Sequence, residues 1–121
     1  MFSLQINISL AQEDNLQTLD GVEIDYTYTN GNNVIFSFYD GMVRYRWITG
    51  PSAGISNEGP AYISREISDD IYFVNWQMKG WYVDFVINFN TNRLYASTLR
   101  GYGTEEQSSS FGSAVLNRVD R

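Results

Sequence analysis

Two tyrosines spaced two residues apart are the side chains in this sequence best placed to do chemistry. They are Tyr26 and Tyr28, in the stretch IDYTYTNG, which ends in an Asn-Gly turn signal. Residues two apart in a β-strand point to the same face, so the two phenols would lie side by side. A phenol can donate a hydrogen bond to a ligand or to a developing enolate, but its pKa of about 10 makes it a poor base at neutral pH. The pattern predicts either a pair of inward-facing donors or the aromatic lining of a sheet.

The composition limits which other groups could take part. The 121-residue chain contains no cysteine and no histidine, and its 14 acidic residues outnumber its 8 basic residues. Disulfides and thiolate metal sites are therefore excluded, and a zinc site would have to be built from carboxylates alone. We expect no metal and no other cofactor. Catalysis would have to use Tyr, Asp, Glu, Arg or Lys.

The charge distribution argues against nucleic acid and membranes as partners. The net charge is −6, and the largest basic cluster is Arg44 and Arg46, separated by Tyr45. A nucleic-acid-binding domain normally carries a basic stripe. No stretch is apolar for long enough to cross a bilayer, and the first residues lack the basic start and unbroken apolar run of a signal peptide. We expect a cytoplasmic protein.

Alternating apolar and polar residues predict about nine short strands and no amphipathic helix. The predicted strands are residues 2–10, 22–29, 34–39, 42–49, 62–67, 71–77, 81–89, 93–99 and 111–116. Asp40-Gly41 is a hairpin signal, and residues 50–60, which hold both prolines, are predicted to form a loop. Many short strands in one chain of this length predict a single all-β domain over residues 1–121, either a closed up-and-down barrel or a sandwich.

The alternation also predicts which side chains face inward. The candidates for contact with a ligand are Tyr26, Tyr28, Tyr45, Trp47, Tyr72, Trp76, Met78 and Phe85. A barrel of about eight to ten strands is just wide enough to hold one small ligand, although the same side chains could instead fill the core. Arg65 and Glu66 in YISREI lie at a change of phase, so either could point inward or lie at a solvated rim.

Several segments, taken together, resemble a known family. YTYTNG, VRYRWITGPSAG, IYFVNW and VDFVINFNTNRLYAS follow one another in the order and spacing of the bacterial phenolic acid decarboxylases and the smaller MoaF-like proteins. The resemblance covers about residues 20–100. It implies a lipocalin-like (calycin) up-and-down barrel and, from the decarboxylases, a homodimer. It also implies that Tyr26 and Tyr28 stand where the family holds a substrate carboxylate.

The sequence departs from that family at its charged catalytic residues. The family's arginine falls on Ile55, and its glutamate falls on Met78. Another register would restore the arginine as Arg46, but it needs a long deletion and an insertion, whereas the register ending at Ile55 keeps the spacing to Trp76. Without the charged pair there is no obvious acid–base couple, which argues against phenolic acid decarboxylation.

Three classes of function remain open from the sequence. The first is a binding protein for a hydrophobic or aromatic small molecule. In that case the ligand-binding residues would be Tyr45, Trp47, Ile55, Tyr72, Trp76, Met78 and Phe85. The second is a cofactor-free lyase, cyclase or isomerase that acts on an aromatic or polyketide-like small molecule inside the barrel, with Tyr26 and Tyr28 as catalytic hydrogen-bond donors. The third is an interaction module that pairs through the outer face of its sheet.

Overall fold

The protein folds into a closed β-barrel. The structure, a computed structural model, describes residues 16–121, so the strand predicted over residues 2–10 lies outside the described residues. Within the described range there are eight strands and no helix. They are β1 (Glu23–Tyr28), β2 (Asn33–Tyr39), β3 (Met42–Trp47), β4 (Ser56–Ser68), β5 (Ile71–Met78), β6 (Trp81–Asn88), β7 (Arg93–Arg100) and β8 (Ser108–Asp120).

Each strand pairs antiparallel with the next in the chain, and β8 pairs with β1 to close the sheet. The prediction of an all-β, antiparallel up-and-down barrel is confirmed. The alternation seen in the sequence has its expected cause. In β6, for example, Val83, Phe85 and Ile87 are buried, whereas Asp84 faces outward and accepts a hydrogen bond from Asn75 at 2.8 Å. The predicted hairpin at Asp40-Gly41 is also present, with positive φ at both residues.

The prediction of a loop over residues 50–60 is wrong for its second half, because β4 already begins at Ser56. The strand tolerates Gly59 and Pro60 because they lie at a register shift. Met42 pairs with Ala61, but Arg44 pairs with Glu58, so the partner strand contains an extra residue there. A proline at such a bulge need not donate to the ladder. The last strand is likewise longer than the predicted 111–116, because it extends over Ser108–Asp120.

One end of the barrel is closed by the turn that precedes β1. Leu19 in this turn is only 1% exposed and belongs to the core cluster. Its neighbour Asp20 accepts hydrogen bonds from the Tyr62 hydroxyl at 2.7 Å and from the Gly41 amide at 3.0 Å. The Tyr62 ring packs edge-on against Phe38. The antiparallel order then places the ends of β1, β3 and β5 together at the opposite end.

Candidate functional site

A cavity of about 340 Å³ lies inside the barrel near the end opposite the Leu19 turn. Eight of the predicted site residues line it: Tyr26, Tyr28, Tyr45, Trp47, Ile55, Trp76, Met78 and Phe85. β1, β3, β5 and β6 supply seven of these side chains because the residues share the inward face of their strands. Ile55 comes from the connection between β3 and β4. Their roles in binding or catalysis stay predictions.

Two backbone hydrogen bonds place Ile55 at the mouth of the cavity. The Trp47 amide donates to the Ile55 carbonyl, and the Gly54 amide donates to the Trp47 carbonyl, each at 2.9 Å. The connection between them turns at Gly50 and Gly54, which have φ values of 95° and 88°. This conformation suits glycine because it has no Cβ. The connection therefore folds back over the end of β3 and brings Ile55 beside Trp47.

The predicted residue Tyr72 does not line this cavity. It faces inward, as its position in the alternation predicts, but it lies near the start of β5 at the other end of the barrel. Its ring packs edge-on against Phe89, with the ring centroids 5.8 Å apart. Four residues of strand separate it from Trp76, which corresponds to about 13 Å along the strand. The alternation identified the face correctly but did not indicate the depth.

Arg65 and Glu66 are both exposed and do not line the cavity. Glu66 has the same parity as the buried residues Tyr62 and Ser64, but it lies near the end of β4, beyond the packed interior. Its carboxylate accepts a hydrogen bond from the Asp70 amide at 2.8 Å. Both charged residues therefore belong to the solvated rim.

Tyr26 and Tyr28 form a close pair in the cavity wall. Their hydroxyl oxygens are 3.4 Å apart, and their rings are nearly perpendicular, with an interplanar angle of 85°. Hydroxyl–hydroxyl hydrogen bonds are usually about 2.7–2.8 Å long, so this one is weak. Each hydroxyl consequently keeps the capacity to bond to a third group.

Both phenols are protonated at neutral pH, and burial extends this neutral state to higher pH. Desolvation raises the pKa of Tyr26 well above its ordinary value of 10.0, and the neighbouring Tyr28 raises it further. Desolvation also raises the pKa of Tyr28, although the hydrogen bond with Tyr26 partly offsets the rise. Because a neutral phenol is a donor and a poor base, the pair can orient or polarise a ligand but cannot readily remove a proton from it.

A second polar cluster in the cavity wall is centred on the thioether of Met78, whose sulfur accepts hydrogen bonds from two side chains. The Tyr45 hydroxyl donates to the Met78 sulfur at 3.5 Å, and the Asn57 side-chain amide donates to it at 2.9 Å. The Tyr45 ring stacks on Phe36, with an interplanar angle of 7°. Desolvation raises the pKa of Tyr45, and a hydrogen bond with Asn57 acts in the opposite direction. This wall therefore offers neutral polar atoms and a polarisable sulfur.

Trp76 carries a buried donor that the fold leaves unpaired. The side chain is 5% exposed, and its indole Nε1 has no hydrogen-bond partner among residues 16–121. The rings of Phe36, Tyr45 and Phe85 surround it, with centroid distances between 5.4 and 6.1 Å. Leaving such a donor unpaired costs about 1–3 kcal/mol. A group with this cost in the wall of a cavity is a candidate contact for a ligand.

Five further polar or aromatic lining residues were not predicted as site residues: Phe36, Ser52, Asn57, Trp81 and Thr98. Trp81 has the inward parity of β6, so the alternation could have identified it. Ser52 and Asn57 fall in the segment that was predicted to be a loop. Thr98 shares parity with the buried residues Leu94 and Ala96, but a small polar side chain gives little signal of a pocket.

None of the described residues that line the cavity is charged. Arg100 lies nearby but is exposed, with its guanidinium carbon 5.1 Å from the centroid of the Trp81 ring. It lines a wider groove at the mouth, of about 590 Å³, which shares Tyr28, Trp47, Trp81 and Thr98 with the cavity. Residues 16–121 also contain no group of three or more His, Cys, Asp or Glu that could hold a metal ion.

The fold and the site together define a closed eight-stranded antiparallel β-barrel with an aromatic-lined cavity near one end. No family model matches the chain, and no curated protein matches it. Among solved structures, the chain is similar to a protein from Burkholderia vietnamiensis described as a "putative beta-lactamase". The two are 18% identical, with a TM-score of 0.72, and the match covers 84% of this chain and 95% of the other. This likeness shows the fold alone.

The structure has no helix in residues 16–121 with the length and apolar character needed to span a membrane.

Proposed function

We propose that this chain is a calycin-like barrel that binds a small hydrophobic or aromatic molecule in its interior cavity. The observation that carries the proposal is the lining itself. Eight of the fifteen lining residues are aromatic, and the cavity measures about 340 Å³. Ligand pockets typically measure about 300–1,000 Å³ and combine apolar walls with a few placed polar groups. The Tyr26–Tyr28 pair and the Trp76 indole would be such groups.

The size of the cavity favours a ligand over a simply packed core. Protein interiors are packed at nearly the density of organic crystals and contain few voids larger than a water molecule. The half of the barrel around Leu19, Phe38 and Tyr62 follows this rule, since all three side chains are almost fully buried. The half around Tyr28, Trp47 and Trp81 is instead open to solvent at the mouth, and its rings line that space. An aromatic molecule fits that space by stacking on these rings.

The resemblance to the phenolic acid decarboxylases and MoaF-like proteins supports the calycin-like assignment. Ile55 and Met78, which stand at the family's charged positions, both line the cavity and carry no charge. We therefore propose binding without the family's decarboxylation chemistry. A cytoplasmic location and a homodimer stay predictions from the sequence.

The residues of this chain do not fit the activity in the description of the Burkholderia protein. Serine β-lactamases use a Ser-x-x-Lys motif, but the residue three before the single lysine, Lys79, is Trp76. Zinc-dependent hydrolysis relies on histidine and cysteine ligands, and the sequence has neither. The residues present therefore favour binding over hydrolysis of a β-lactam.

A cofactor-free lyase, cyclase or isomerase is the second candidate. The weakly bonded hydroxyls of Tyr26 and Tyr28 favour it, because two neutral donors close together can stabilise an enolate that forms beside them. If the protein turns over a substrate, Tyr26→Phe and Tyr28→Phe should each lower kcat while the far-ultraviolet circular dichroism spectrum is unchanged. Unchanged kcat in both variants would reject this candidate.

Binding can be tested with the uncharged naphthalene dye prodan, whose emission shifts to the blue in apolar surroundings. Thr98→Phe should narrow the cavity and abolish the shift. The control is Ser97→Phe, which adds the same ring to the neighbouring position of β7, whose side chain does not line the cavity. We expect the shift with wild type and Ser97→Phe. No shift with wild type, or an equal shift with Thr98→Phe when both variants remain folded by thermal unfolding, would contradict the proposal.

A further inference from the structure

We infer that the cavity selects uncharged aromatic molecules that carry a hydrogen-bond acceptor, such as an aryl ketone or ester, and rejects aromatic carboxylates. The inference rests on the proposed binding function and adds the chemical class of the ligand. Three features of the wall carry it: the absence of charge among the described lining residues, the state of the phenols, and the unpaired indole of Trp76.

The wall contains no cation that could accompany a carboxylate into the barrel. The described lining residues include no Arg and no Lys. Transferring a carboxylate from water into apolar surroundings is very unfavourable unless it is paired and hydrogen-bonded. The chain as a whole carries a net charge of −6, which also opposes the entry of an anion. A neutral aromatic molecule meets neither obstacle.

Two kinds of group in the wall, the phenol hydroxyls and the indole of Trp76, can donate a hydrogen bond to an acceptor on the ligand. Tyr26 and Tyr28 are protonated at neutral pH, as any phenol with a pKa of 10 or more is, and their mutual bond of 3.4 Å is weak enough to leave donor capacity. The Tyr45 hydroxyl is already directed to the sulfur of Met78. A carbonyl oxygen can accept hydrogen bonds without bringing a charge into the cavity.

The indole N–H of Trp76 is the donor that gives the cavity its preference for a ligand with a hydrogen-bond acceptor. Its Nε1 is buried without a partner among residues 16–121, and the rings around it also line the cavity. Tyr45 is the partly exposed ring of this group, whereas Phe36 and Phe85 are almost fully buried. Nε1 itself is closed off from solvent in the free protein, so a ligand carbonyl has to displace part of this ring packing, at its most exposed member Tyr45, to reach the indole N–H. Pairing this donor removes a penalty that the free protein carries.

Arg100, at the mouth of the cavity, offers an alternative arrangement in which it pairs with the carboxylate of an aromatic acid. It is exposed and lies over the Trp81 ring beside the groove at the mouth. A carboxylate held there would remain hydrated, with its ring in the cavity. Because an exposed ion pair contributes little, this arrangement should not compensate for the unpaired Trp76 donor.

Three probes with the same ring system test the inference. Acetylnaphthalene carries a neutral acceptor, naphthoate carries a charge, and ethylnaphthalene carries neither. Displacement of prodan at neutral pH measures the affinity of each for wild-type protein. We expect acetylnaphthalene to bind at least about tenfold more tightly than naphthoate, and about five- to tenfold more tightly than ethylnaphthalene. Failure of prodan and all three probes to bind would remove the proposed function itself.

The variant Trp76→Phe should abolish the preference for acetylnaphthalene over ethylnaphthalene, whereas the matched control Trp47→Phe should keep it. If Trp76→Phe does not fold, the indole resonance of Trp76 in wild-type protein provides the test. It should move downfield with acetylnaphthalene and much less with ethylnaphthalene. Equal binding of the three probes would overturn this inference alone. If naphthoate instead binds most tightly of the three probes, and Arg100→Gln abolishes that tight binding, the inference is also overturned. The anion would then bind at the mouth of the cavity.

Discussion

The hydroxyl oxygens of Tyr26 and Tyr28 lie 3.4 Å apart at the cavity wall, close enough to touch but too far for a strong hydrogen bond. By contrast, the Tyr62 hydroxyl at the closed end donates to Asp20 at 2.7 Å. The two ends of the barrel thus use tyrosine differently. At the closed end a phenol is fully engaged in holding the fold, whereas in the cavity two phenols keep capacity for another partner. Such incomplete pairing is typical of sites that exchange stability for function.

This contrast predicts that two buried tyrosines differ in their contribution to stability. Tyr62→Phe should lower the free energy of unfolding by about 1–2 kcal/mol, because it removes a short hydrogen bond to a carboxylate. Tyr26→Phe should change it by less than about 1 kcal/mol, because the lost hydroxyl has a single weak partner. Urea unfolding measures both. Tyr82→Phe is the control, since Tyr82 is exposed on the outer face. A larger loss from Tyr26→Phe than from Tyr62→Phe would contradict the account.

The buried phenols predict a loss of stability at high pH. The folded pKa of Tyr26 is raised above its ordinary value of 10.0, mainly by desolvation. The folded state therefore retains a proton that the unfolded state releases above about pH 10. The contribution to stability is fully present below that pH and is lost as the pH rises toward the folded pKa. Tyrosinate absorbance and urea unfolding between neutral and alkaline pH measure the effect.

The Tyr26→Phe variant is the control for this pH dependence. Its stability should decline less steeply than that of wild type above about pH 10, because the variant has one fewer buried phenol to ionise. Identical slopes for the two proteins would show that Tyr26 ionises as freely as an exposed tyrosine.

The connection that carries Ile55 should be sensitive to the size of residue 50. Gly50 has a φ of 95°, and a Cβ there would collide with the side chain of Asn32. Gly54 has a φ of 88° but open space around it. Gly54→Ala should therefore cost about 1–2 kcal/mol from backbone strain alone, and Gly50→Ala should cost more. Gly50→Ala should also weaken prodan binding, because the connection holds Ile55 beside Trp47. Equal losses of stability would show that the contact with Asn32 is unimportant.

The sequence predicted the barrel well because alternation and hairpin turns are local signals. Val83, Phe85 and Ile87 could be assigned to the interior from their spacing alone. The start of β4 was missed because Gly59 and Pro60 are typical of loops, and the bulge that accommodates them depends on how β3 and β4 pair. Local sequence does not report such long-range pairing.

The sequence also could not show how far along the barrel axis each inward-facing residue lies. Tyr72 and Trp76 share one face of β5, yet only Trp76 lies at the cavity. Which end of each strand surrounds open space depends on the stagger of all eight strands and on the turn at Leu19 that fills the other end. The unpaired Trp76 donor was also beyond prediction, because it results from the rings that happen to surround it.

The most direct test of the central claim uses the three tryptophans as reporters. The chain has three, Trp47, Trp76 and Trp81, and all three line the cavity. Their indole N–H resonances can be recorded in a ¹⁵N-labelled sample during titration with prodan and assigned with Trp→Phe variants. If a ligand enters the barrel, all three resonances should shift with one common saturation curve, while the exposed side-chain amide of Asn117 on β8 should not. Saturable prodan binding that leaves the indole resonances unmoved would place the site elsewhere and contradict the account.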